Sequence, residues 1–310
     1  MQISQHRYRY ITIGALVALA VIIVSGAAVR LTNSGLGCDD WPNCSNERFV
    51  DVSSKHAAIE QINRMFTGIV GIAVIAAVLG SLVRQGARRR DLVRLSLLLV
   101  AGVLANAVLG GISVLVDLHP IAVQFHLLLS MGLIVAGATL VRRAGEPDGV
   151  ARHRVTTRAT QHLTWLLMGV TWVAVFTGTL VTGAGPHAGD EAAKRLDLAI
   201  PEVARVHSVS VLTALAIALL IAWRIRRHGS DRAAMANVLS AWMVVGLAQA
   251  AVGYVQYFND VPELLVGLHV AGATAVMLVT TQIVLDTTRP LEESTPSGML
   301  ADRQSLGAVS

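Results

Sequence analysis

Residues 201–207 read Pro201-Glu202-Val203-Ala204-Arg205-Val206-His207 and open an apolar run that continues to Trp223. The run is long enough to cross a bilayer and carries an imidazole about two helical turns inside it. An ionisable group at that depth points to function, because hydrocarbon is an expensive place to keep one. His269 sits seven residues after Pro262 in the last apolar run. If both runs enter from the same side, the two rings lie at similar depth. Either histidine alone is equally consistent with a ring hydrogen-bonded to a neighbouring helix.

The rest of the chain has the same character. Of 310 residues, 54% are hydrophobic and only 15% charged, with a mean hydropathy of +0.59. This excludes a soluble enzyme. The net charge of +5 does not mark a nucleic-acid binder, because the basic residues fall in loops between apolar runs. Eight such runs lie at roughly 11–30, 61–83, 95–116, 121–141, 163–183, 202–223, 234–257 and 264–286. Each holds about 20 residues, enough for a spanning helix. The first lacks a clear small-residue cleavage site and reads as a retained helix. Arginines crowd the N-terminus (Arg7, Arg9) and the stretches 84–94, 142–158 and 224–232. The alternate loops are poorer in Arg and Lys and richer in Asp and Glu. The positive-inside rule then puts both termini in the cytoplasm of a plasma-membrane protein. The tail from about Pro290 to Ser310 is polar and aperiodic, and is expected to be disordered.

The two halves of the chain match in register. Asn106, Gly110 and His126 recur at the same offsets as Gln249, Gly253 and His269. Ile59-Glu60-Gln61-Ile62-Asn63 lines up with Val203-Ala204-Arg205-Val206-His207, and Gly26-Ala27-Ala28-Val29 with Gly178-Thr179-Leu180-Val181. The expected fold class is therefore all-α: a polytopic membrane protein with eight transmembrane helices as two parallel-repeat four-helix bundles. Each half should offer a pocket lined by its second and fourth helices. The C-terminal half fills both positions with histidine, His207 and His269. The N-terminal half fills them with Asn63 and His126. Two imidazoles facing each other across a bundle are the axial ligands that a b-type heme iron takes. A purely structural histidine has little reason to recur at the same place in both halves.

Other residues could carry chemistry. Glu60 lies one turn from Asn63 on the same helix face, where a buried carboxylate could pass protons. With Arg64 at i+4 it could equally form an interfacial ion pair. Cys38 and Cys44 lie in a loop on the oxidising side, which permits a disulfide. Such a bond is either a staple, stabilising by about 2–3 kcal/mol, or a reversible thiol pair. His187 could cover a heme edge or be a solvated loop residue. His56 and His119 also lie on the outer side. Arg30 and, more weakly, Arg205 could meet propionates. Gly110, Gly111 and Gly253 would admit a macrocycle, although close helix packing is the commoner reason for such glycines.

Taken together, these residues resemble the heme A synthase family of bacterial cytochrome oxidase cofactor assembly. The likeness covers about residues 10–286. It is carried by Gly-Leu-Gly-Cys-Asp-Asp-Trp-Pro-Asn-Cys at 35–44, Ile-Glu-x-x-Asn-Arg at 59–64, Gly-Pro-His-Ala-Gly-Asp at 185–190, and His126, His207 and His269. The resemblance implies oxidation of the C8 methyl of heme O to a formyl group, giving heme A. It implies heme b on His207 and His269 in a C-terminal half, 151–289, ahead of a tail at 290–310. It implies substrate heme on His126 in an N-terminal half, 1–150, an essential carboxylate at Glu60, and a disulfide between Cys38 and Cys44. Implied partners are heme O, membrane lipid, a heme O synthase and the cytochrome c oxidase assembly machinery, with a homo-oligomer left open and nucleic acid excluded. Many members of the family have histidine where this chain has Asn63, so a bis-histidine site for substrate heme from the matched positions is excluded. A non-catalytic b-type cytochrome or heme carrier is the alternative. Glu60 beside an incomplete ligand set favours the enzyme.

Overall fold

The computed structural model describes residues 2–291. Eight helices carry the chain back and forth: α1 (Gln5–Leu31), α2 (Lys55–Val83), α3 (Arg90–Leu115), α4 (Pro120–Ala144), α5 (Arg158–Ala184), α6 (Ile200–Ile225), α7 (Gly229–Phe258) and α8 (Glu263–Leu285). All eight are long and apolar enough to cross a membrane. Each matches the run expected of it, with α3 and α8 ending one residue short of theirs. Ser4, Ser54 and Thr157 cap α1, α2 and α5 by accepting from the backbone N–H groups of Arg7, Ala57 and Thr160. Proline starts the helices that carry the three deep histidines. Pro120 and Pro201 stand in the first turns of α4 and α6, and Pro262 precedes α8.

Consecutive helices pack in order from α1 to α4, and α4 returns to α1 to close one bundle. Helices α5 to α8 close a second bundle in the same way. The bundles meet where α8 packs on α1 and α4, and α4 on α5. Leu19, Val74, Leu99, Met131 and Ile134 are buried in the first bundle, with Met277 of α8 joining them. Leu167, Ala218, Ile221, Met235 and Trp242 fill the second. Threonines inside the bundles donate back to their own helices, as Thr171 does to the Leu167 carbonyl at 2.8 Å. Trp242 Nε1 donates to Thr280 Oγ1 at 2.8 Å. Buried hydroxyl and indole groups are thereby satisfied where no water can help. Apolar side chains such as Ile72, Val244 and Leu247 point outward, as they should against lipid.

The arginine-rich loops gather at one end with the N-terminus, in agreement with the charge pattern. Ile3 pairs with Arg84, and Gln5 Nε2 donates to the Glu146 carbonyl at 2.8 Å. Arg84 forks onto the Asp148 carboxylate, and Arg142 meets Asp286 at 2.9 Å, tying the two bundles together. A short antiparallel pair, β1 (Arg152–Arg154) with β2 (Thr288–Pro290), also lies at this end. It corrects the boundary expected for the tail. Pro290 pairs with Arg152, and the Leu291 N–H donates to the Ala151 carbonyl. The rest of the expected disordered tail, 292–310, lies outside the described residues. Hydropathy alone cannot show such a pairing, because two three-residue strands give no period long enough to read.

Asp231 fastens α7 to the start of α5. Its carboxylate accepts from the Thr157 N–H at 2.8 Å, and from the Thr157 and Thr160 hydroxyls at 2.9 and 2.5 Å. Asp231→Ala strands three donors in a buried place. We expect a loss of about 1–3 kcal/mol, read as a lower thermal midpoint in detergent, whereas Asp51→Ala on the exposed outer loop should leave the midpoint unchanged.

Candidate functional site

His207 lies on the eighth residue of α6 and His269 on the seventh of α8. The structure brings them together as the matched depths require. Their ring centres are 6.2 Å apart and their planes cross at 78°. An iron–imidazole bond is about 2 Å and a ring nitrogen sits about 1 Å from its ring centre, so two rings on opposite sides of one iron stand about 6 Å apart. The donor chemistry also fits. His207 Nδ1 lies 3.0 Å from the Ala174 carbonyl, which can only accept, so Nδ1 carries the proton and Nε2 is left with the lone pair. His269 Nδ1 is buried without a partner.

Each deep histidine rests against a glycine of the preceding helix. A Cβ at Gly178 would stand 3.1 Å from His207 Cε1, one at Gly253 2.9 Å from His269 Cε1, and one at Gly110 3.1 Å from His126 Cε1. The glycines thus do more than let helices approach. Each makes a shelf that fixes one imidazole.

His126 belongs to a different environment. It lines a cavity of about 740 Å³ in the first bundle, together with Gly26, Asn63, Glu60, Gln61, Arg64, Asn106 and Gly110. Its Nδ1 is buried without a partner. Ser130, one turn on, donates to the His126 carbonyl at 2.8 Å and receives the Asn106 amide at 2.8 Å. Asn63 lies on the same cavity, and its amide donates to Ser25 Oγ of α1 at 2.9 Å. No imidazole stands at that position.

Glu60 is buried at the outer mouth of this cavity. One carboxylate oxygen takes Arg64 at 2.6 and 2.9 Å, and the other takes the Cys38 N–H at 2.8 Å. Arg64 continues to the carbonyls of Asn43 and Asp40. The Glu60–Arg64 ion pair, the other reading that the spacing left open, is present, and it grips the loop between Cys38 and Cys44, which are joined by a disulfide. That loop lays the Trp41 indole directly on Gly111, the neighbour of the His126 shelf, leaving no room there for a Cβ. Trp41 and Pro42 both line the cavity.

His187 also lines this cavity, although its loop comes from the second bundle. Arg30 reaches across to donate to the carbonyls of His187 and Thr182, and Gly35 N–H donates to the Gly189 carbonyl at 2.9 Å. The His187 ring donates through Nε2 to the Val261 carbonyl at 2.7 Å. His187 thus covers the first bundle's pocket rather than the His207–His269 pair. His56 bonds Ser34 Oγ at 3.0 Å. Arg205 is exposed on α6 and meets no partner among the described residues. Sequence reasoning did not single out Trp41, Ser25 or Thr177. Trp41 at least sits inside the quoted cysteine loop, and Ser25 and Thr177 each precede one of the matched glycines.

Residues 9–58 and 48–194 match the family described as cytochrome oxidase assembly protein, COX15-CtaA. The chain belongs to this family. A protein named heme A synthase from Bradyrhizobium diazoefficiens is 28% identical over 341 aligned positions, spanning 91% of each chain. A heme A synthase of Lysinibacillus sphaericus is 26% identical over 57% of this chain and 59% of its own. One from Shewanella oneidensis reaches 31% over a shorter match, 38% of this chain and 40% of its own.

The Glu60–Arg64 grip on the cysteine loop is open to test. Arg64→Ala frees the Asn43 and Asp40 carbonyls and one side of the Glu60 carboxylate. The Cys38–Cys44 bond should then be reduced by dithiothreitol at least several-fold faster than in the parent, followed by mass-tagging of the freed thiols.

Proposed function

We propose that this chain is a heme A synthase, oxidising the C8 methyl of heme O to a formyl group to supply heme A for oxidase assembly. The observation that carries the reading is the asymmetry of the two halves. One holds a closed imidazole pair at iron-ligand spacing; the other holds a large cavity with one imidazole, a buried carboxylate and a lid. A carrier of electrons alone has no use for the second arrangement. The relatives named heme A synthase support the same conclusion.

In this reading residues 151–289 form the heme b half, and His207 and His269 are the residues that would hold its iron. Bound there, heme b supplies a one-electron relay. The Ala174 carbonyl keeps the His207 Nε2 lone pair free, and Gly178 and Gly253 hold the two rings. Residues 1–150 form the half that takes heme O, with His126 as its iron ligand and the apolar walls of the cavity accepting the macrocycle. Glu60 is the carboxylate that accepts and passes protons at the outer mouth. Trp41 and the His187 loop exclude water from above. Heme O would arrive from a heme O synthase in the same membrane. The arginine-rich end, with both the N-terminus and Pro290 on it, faces the cytoplasm of the plasma membrane.

The direct experiment is pigment extraction from cells that make heme O. Cells expressing the chain should yield heme A. Glu60→Ala should lower that yield by about 100-fold or more while the purified protein keeps heme b. Arg64→Ala loosens the same loop but leaves the carboxylate, and should keep measurable product. Absence of heme A from cells with the parent chain would contradict the reading. A second test uses the shelves. Gly253→Ala pushes on His269 and should lower heme b retention, whereas Gly26→Ala, with nothing within 4 Å of the added Cβ, should leave it unchanged.

A further inference from the structure

We infer that the cavity of the first bundle holds its iron through His126 alone and keeps the face beside Asn63 open to a small exogenous ligand. The inference rests on the reading above, that this cavity takes a heme.

The four matched glycines carry the argument. At Gly110, Gly178 and Gly253 an imidazole Cε1 lies 2.9–3.1 Å from a Cβ placed on the glycine. At Gly26, the fourth, nothing lies within 4 Å. The shelf remains and the ring is missing. The space above it opens on the cavity, since Gly26 and Asn63 both line it.

The hydrogen bond below the shelf remains as well. Thr177, just before Gly178, stands 3.3 Å from His207 Nδ1. Ser25, just before Gly26, stands 2.9 Å from the Asn63 amide nitrogen. The Asn63 Nδ2 therefore occupies the role of the ring Nδ1. Its orientation is fixed by the network. Ser25 gives its own proton to the Ile22 carbonyl at 3.2 Å, so it can only accept from Asn63, and the NH₂ must face it. The Asn63 Oδ1 is left as a hydrogen-bond acceptor. An asparagine side chain ends where an imidazole would continue to Nε2, and an amide oxygen is a weaker ligand for iron than an imidazole. The position is thus kept polar without being filled.

The test uses the purified full-length chain in detergent, titrated with iron protoporphyrin IX until uptake stops, reduced with dithionite and exposed to carbon monoxide. Two hemes per chain are expected, and carbon monoxide should bind one of them. Asn63→His puts a ring on the waiting shelf. It should convert the carbon-monoxide-reactive heme to a low-spin, six-coordinate form and weaken carbon monoxide binding at least about tenfold. His126→Ala should abolish the reactive heme and leave the other. Uptake of one heme only, a doubly loaded parent that binds no carbon monoxide, or undiminished binding in Asn63→His would each overturn the inference. If Asn63→His fails to keep the low-spin heme of the second bundle and so is misfolded, the stoichiometry of the parent and of His126→Ala decides. Carbon monoxide binding is read without any heme A being made. A parent that binds it but yields no heme A refutes the synthase reading alone; one that yields heme A but binds none refutes this inference alone.

Discussion

The contact between a glycine and an imidazole across two adjacent helices sets the geometry of this protein. His126, His207 and His269 each lean on a glycine of the helix before them. The approach is so close that one methyl group would displace the ring. Between helices in lipid there is little hydrophobic drive, and small residues that let backbones approach do much of the work. The same glycines that bring each helix pair together therefore aim the three imidazoles. Placement of the rings rests on helix packing rather than on loops, and it sets His207 and His269 6.2 Å apart.

From one repeated scaffold the two halves reach different ends. The second bundle closes on its imidazole pair. The first leaves a cavity and recruits three covers for it: the disulfide loop with Trp41, the Glu60–Arg64 pair that fastens that loop, and the His187 loop from the other bundle. Arg30 is what brings the last of these over, by spending its guanidinium on the His187 and Thr182 carbonyls. Gln124 Nε2 adds a second tie to Thr179 Oγ1 at 2.7 Å. Neither half is complete without the other, since the roof of the first pocket is partly made from the second.

Much of this could be read from the sequence. Hydropathy located all eight helices, because spanning runs of about 20 residues are unmistakable at this composition. The repeat then identified His207, His269, His126 and Asn63, because equal offsets from helix starts mean equal depth. What escaped were contacts between distant parts of the chain. Nothing in the segment 185–190 says that it will cross to the first bundle, because Arg30 selects it from more than 150 residues away. Glu60 was legible as a carboxylate that could pair with Arg64, but its burial and its bond to the Cys38 N–H depend on how a 23-residue outer loop folds back. The glycines were visible and their partners were not: the same small residue serves a helix, an indole or an imidazole, and only the packing decides which.

The central claim is that His207 and His269 hold one iron between them in the orientation the helices impose. Electron paramagnetic resonance of the oxidised, purified chain carrying only the heme of its second bundle tests it most directly. Rings crossed at 78° predict a low-spin ferric signal of the strongly anisotropic, large-g kind that near-perpendicular imidazole planes produce, lost in His207→Ala and in His269→Ala. A high-spin signal, or one that survives either substitution, would contradict the account.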